Sequence, residues 1–78
     1  MEDIMGSVVK AKAGRDKDSF FVVLENDSKY AIIVDGKRRT LLKPKKKNFK
    51  HLLITKSKLV EEDMKTDRGI RKALRKFK

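Results

Sequence analysis

Two short apolar runs, Phe20-Phe21-Val22-Val23-Leu24 and Tyr30-Ala31-Ile32-Ile33-Val34, constrain this chain more than anything else in it. Each is continuous and rich in β-branched and aromatic residues. Each is also too short for a typical helix, which predicts strands buried on much of their surface. Between them Glu25-Asn26-Asp27-Ser28 supplies hairpin chemistry. Upstream, Gly6-Ser-Val-Val-Lys-Ala-Lys12 starts at a glycine and carries two valines, predicting a first strand over 6–12, and the Gly and Asp content of 13–18 reads as a loop.

Asp35-Gly36 follows the third strand directly. This dipeptide favours a tight turn with positive φ, so the expected continuation is an antiparallel hairpin into a fourth strand over 37–42. Pro44 lacks a ladder donor, so 43–48 is expected as an exposed loop presenting its lysines, and His51-Leu-Leu-Ile-Thr55 reads as a last short strand. Short strands and tight turns within about 55 residues predict a mainly β fold: a small, strongly bent antiparallel barrel of about five strands, closed to limit free edges. The domain reading is a barrel over 1–55 and a basic amphipathic segment over 56–78.

That last segment changes character. Ser57 or Thr66-Asp67 is available as an N-cap, and Ile70, Ala73, Leu74 and Phe77 share one face of a C-terminal α-helix whose other face is cationic. Docking on the barrel comes first, which a contact to RNA can accompany, with a membrane-surface helix as the alternative.

Composition narrows the partner class. The 78 residues carry 22 Lys and Arg against 11 Asp and Glu, a formal charge of +11. The charge is uneven: 36–60 holds ten cations and no acid, 61–64 is acidic, and 65–78 is basic again. Folding is better served by mixed signs, so the acid-free stretch points to a polyanion. Without Cys and with His51 alone, neither a disulfide, a thiolate nucleophile nor a cysteine or histidine metal cluster can form. Neither paired carboxylates, a nucleophile-base spacing nor a phosphate-cradling glycine loop stands out, so no enzyme and no cofactor is expected. The start, Met-Glu-Asp-Ile-Met, is unlike a signal peptide and no apolar run is long enough to span a bilayer, so a cytoplasmic, monomeric protein without a membrane is expected.

The candidate polyanion contacts are cations on connections and strand ends. Lys12 closes strand one, and Arg15 and Lys17 sit in the following loop. Lys37, Arg38 and Arg39 follow the Asp-Gly turn, where adjacent strand positions would turn the two arginines to opposite faces. Lys43, Lys45, Lys46, Lys47 and Lys50 form the densest patch, with a role in diffuse phosphate neutralisation. His51 and Phe49 are each open to a base contact or a structural role. The few aromatics sit mostly in apolar runs, so folded RNA is expected to be recognised by shape.

The order Gly6-Ser-Val-Val to Val34-Asp35-Gly36 resembles a KOW motif, the RNA-binding element of several ribosomal proteins and transcription-elongation factors. AGRDK at 13–17, VDGK at 34–37 and the PKKK…KHL pattern at 44–52 bring it closest to the ribosomal large-subunit fourteen-e type and its small bacterial KOW-domain RNA-binding relatives, over roughly residues 4 to 54. The resemblance implies an SH3-like barrel and ribosomal RNA, or the ribosome, as partner. Two departures stand out: Asp18 occupies a place where the KOW pattern commonly has glycine, and Phe21 lies near its usual central glycine. The alternative function is an SH3-like protein-interaction module of the transcription or translation machinery.

Overall fold

The structure is a computed structural model that describes residues 4–77. Met1, Glu2, Asp3 and Lys78 lie outside the described residues, and with them most of the N-terminal reading and the last cation of the second basic block. Five strands, β1 (Ser7–Ala11), β2 (Phe20–Asn26), β3 (Tyr30–Val34), β4 (Lys45–Asn48) and β5 (Leu52–Lys58), form one antiparallel sheet in the order β4-β3-β2-β1-β5. A helix, α1 (Asp67–Leu74), follows, so the fold is mainly β with a C-terminal helix. The sheet is barrel-like but not closed, because β4 and β5 form its two ends and make no ladder with each other.

Alternation explains why the two apolar runs are continuous. Val9, Ala11, Phe21, Val23, Ala31, Ile33 and Leu52 form one buried cluster, against which Ile4 and Phe49 pack. Val8, Val22 and Val34 point to the opposite face and are buried there by Ile70 and Leu74 of α1, with Phe20, Leu41, Met64 and Phe77 at the margin. A strand covered on both faces has no need of polar positions. Phe49 therefore belongs to the core margin.

An isolated helix of eight residues would be marginal in water. Here the hydroxyl of Thr66 caps it by accepting from Gly69 N at 3.0 Å, and burial of Ile70 and Leu74 contributes roughly 1.5–3 kcal/mol for each side chain. Polar contacts hold it in place: Asp67 Oδ1 accepts from Leu41 N at 2.8 Å, and Arg71 donates to the Gly36 carbonyl at 2.6 Å.

The fourth strand is not where the sequence predicts it. Residues 37–42 form no strand, and the Lys45–Asn48 segment, expected as a loop, pairs with β3 in the register Tyr30↔Asn48 to Ile33↔Lys45. Asp35 causes the shift. Its carboxylate accepts from Lys37 N and Arg39 N, both at 2.9 Å, and its own N–H donates to Arg39 O, so the chain curls into a loop instead of reversing over two residues. Pro44 stands immediately before the edge strand, as its missing donor permits.

Candidate nucleic-acid interface

The connection between β1 and β2 is a compact loop tied at its base by Ala11 N to Ser19 O (3.0 Å) and Asp18 N to Ala11 O (2.8 Å). Asp18 adopts φ 71°, a left-handed conformation that glycine takes without cost and that Asp tolerates better than most residues. Its carboxylate lies 3.6 Å from the Lys10 ammonium. The other acid of the loop, Asp16, is buried and receives the Lys45 ammonium at 3.1 Å, with Arg38 at 4.0 Å. Because both acids are engaged by other cations, Arg15 and Lys17 project from the loop exposed and without an ion pair among the described residues. Lys12, at the edge of this loop, is exposed, and its backbone N–H reaches the His51 carbonyl at 2.8 Å.

The second basic element is loop 35–44. Lys37 and Lys43 are exposed, Arg38 is 73% exposed, and Arg39 is half-buried. The two arginines do differ in exposure, but through the curl that Asp35 imposes and not through strand alternation. At the same loop Leu41 packs against the helix-side cluster while Leu42 is 93% exposed.

Strand alternation instead divides the lysines of β4. Lys45 and Lys47 share the face of Ile33 and Ala31 and reach the 13–18 loop, Lys47 donating to the Ala13 carbonyl at 3.3 Å. Cations turned toward the sheet's inner side protect an edge strand from pairing with another chain. Lys46 points the other way and lies over the Tyr30 ring, 4.6 Å from its centroid. Lys50 is exposed, and His51 is half-buried in a 3₁₀ turn, Phe49–His51, that leads into β5. The densest lysine patch is thus split, with Lys45 and Lys47 engaged by the fold.

A groove of about 760 Å³ opens where the 13–19 loop, the 35–39 loop and α1 meet. Phe20, Leu74 and Phe77 line its apolar part, and Lys10, Lys37, Arg38, Arg71 and Arg75 bring positive charge to it. Sequence reasoning left Lys10, Arg71 and Arg75 out of the site. The spacing of four between the arginines, next to the Ile70-Leu74 stripe, signals a cationic border to the docked face, but which loop it meets depends on the tertiary fold.

Local fields act on two carboxylates. The Lys45 hydrogen bond, aided by the charges of Lys45, Arg39 and Lys47 against a smaller opposing effect of burial, holds Asp16 below its ordinary value. Asp27 is lowered by the backbone N–H groups of Tyr30 and Lys29, at 2.7 and 2.8 Å, which close the β2–β3 turn. Among the described residues no three His, Cys, Asp or Glu side chains gather to hold a metal, and no helix is long and apolar enough to cross a membrane.

No protein-family model matches the chain, and a search of curated proteins likewise finds no match.

Proposed function

We propose that this protein is a non-catalytic RNA-binding module that contacts structured RNA, with ribosomal RNA the favoured class. One observation carries the reading: the 13–19 and 35–44 loops come together, with Arg38 4.0 Å from Asp16, and display Arg15, Lys17, Lys37 and Lys43 exposed and free of ion pairs among the described residues. Cations on short, internally hydrogen-bonded loops meet phosphates with little loss of side-chain freedom, and the local excess of positive charge draws a polyanion by steering and counterion release. Lys46 and Lys50 extend the surface along the β4 edge. Lys45 and Lys47 serve it indirectly, by fixing the 13–18 loop against the sheet.

The KOW-type resemblance supports the same reading, since its AGRDK segment falls in the first loop and its VDGK segment runs from the end of β3 into the second. A protein-interaction module is favoured by one separate observation: the free-edge strand β5 leaves Leu53 and Ile54 about half exposed. Fluorescence anisotropy with ribosomal RNA fragments, paired with ribosome co-sedimentation, tests the choice. Replacing Arg15, Lys17 and Lys37 together by Ala is expected to weaken RNA binding by at least about tenfold. Unchanged binding by that variant would refute the assignment of these loops.

A further inference from the structure

Phosphate binding alone asks only for exposed cations. The groove between α1 and the two loops has something more, an apolar aromatic floor. Phe20 and Phe77 approach with ring centroids 5.7 Å apart and planes tilted by 40°, both remain half-buried at the groove, and the Lys10 and Lys76 ammonium groups stand 5.6 and 5.7 Å from the Phe20 and Phe77 centroids. Leu74 completes the floor.

The charges at its rim are not balanced. Asp18 is engaged by Lys10, Asp16 by Lys45 and Arg38, and Asp35 by the N–H groups of Lys37 and Arg39. This leaves Lys37 and Arg75 as exposed cations without an ion pair among the described residues, one on the 35–39 loop and one just beyond α1, both lining the groove. Arg71, also in the wall, is held by the Gly36 carbonyl, which fixes the helix against the loop.

We infer that this groove receives a single unpaired nucleotide of a structured RNA. Its base lies against the Phe20–Phe77 floor, and its flanking phosphates meet Lys37 and Arg75. The inference rests on the RNA-binding reading above and deepens it by naming the feature of RNA that is recognised. A base inside a duplex offers no free face, whereas a bulged or looped-out base does, and aromatic side chains are the usual partners of such bases. The volume lies within the roughly 300–1,000 Å³ of small-ligand pockets, ample for one nucleotide. The bound element is thus a helical RNA region carrying an extruded base, with Arg15, Lys17 and Lys43 on the adjoining phosphates.

The test uses the full chain and two hairpin RNAs that differ by one unpaired residue, a bulged 2-aminopurine. Wild type is expected to bind the bulged hairpin about tenfold more tightly than the unbulged one, with a change in 2-aminopurine emission on binding. Phe77→Leu, which keeps an apolar side chain but removes the ring, is expected to abolish the preference for the bulged hairpin. Arg75→Gln, on an exposed residue outside the core, reduces the preference without affecting folding, and decides the matter should Phe77→Leu unfold. Equal, salt-dependent binding of both hairpins, with no emission change, would overturn this inference and leave the RNA-binding reading standing. Absence of salt-dependent binding to either hairpin would overturn both.

Discussion

Lys45 donates to Asp16 across 3.1 Å, which makes a lysine from the most basic stretch of the chain a structural tie between the β4 edge and the β1–β2 loop. Folding lowers the Asp16 pKa from its ordinary 3.8, so the stabilisation is fully present above that value and is lost as pH falls through the lower folded-state value. Asp16→Asn should cost about 1–2 kcal/mol at neutral pH. The gap between wild type and variant, followed by urea denaturation at a series of pH values, should close in acid below 3.8. A constant gap would refute the tie.

Adjacent lysines of β4 should separate stability from binding. Lys45→Ala is expected to lower stability by about 1–2 kcal/mol through the lost hydrogen bond to the Asp16 carboxylate, which keeps only Arg38 at 4.0 Å. Lys46→Ala loses only an exposed cation–π contact with Tyr30, worth about 0.5–1 kcal/mol, but removes an exposed positive charge from the surface. Thermal denaturation and RNA titration on both variants check this division.

Gly36 is held under α1. Its φ is +78°, and a Cβ there would run into the Asp67 carbonyl oxygen and lie 3.0 Å from Arg71 Cγ. Gly14 also has positive φ, at +85°, but its Cβ would meet nothing nearer than the Lys47 ammonium at 3.9 Å. Gly14→Ala should therefore cost only the backbone term, roughly 1 kcal/mol, whereas Gly36→Ala should cost about 2–4 kcal/mol and loosen the helix. Denaturant titration with hydrogen exchange on α1 measures both parts.

These two residues also mark what the sequence makes legible. The β1, β2 and β3 strands and the helix face follow from burial on both sides of the sheet, which imposes a pattern of residue types. The β4 strand is different. Lys-Lys-Lys-Asn has no strand-like composition, and it is extended only because β3 offers an unpaired edge and Asp16 and Ala13 accept from its inward lysines. Asp35-Gly36 suggests a two-residue hairpin, but the Asp35 carboxylate bonds to the backbone and Gly36 makes room for Asp67, far along the chain. For the same reason the loop cations are readable locally, while the groove, built with Arg71 and Arg75, is not.

Asp18 should separate conformation from charge. At φ 71°, Asp18→Gly relieves the left-handed conformation but adds freedom to the unfolded chain and loses the exposed Lys10 pair, so stability should stay within about 0.5 kcal/mol. Asp18→Ala keeps the strain without a polar side chain to offset it and should lose about 1 kcal/mol. Both variants remove an acid beside the groove and should bind RNA more tightly than wild type. Urea denaturation and anisotropy on this pair give the two answers.

The salt dependence of RNA affinity tests the central claim most directly. For a protein that neutralises phosphates with Arg15, Lys17, Lys37 and their neighbours, the logarithm of affinity should fall linearly with the logarithm of salt, by about 0.7–0.9 per contact. Replacing those three residues by Ala should flatten the slope by roughly 2–3. An affinity that ignores salt, or a slope left unchanged by the triple replacement, would contradict the account.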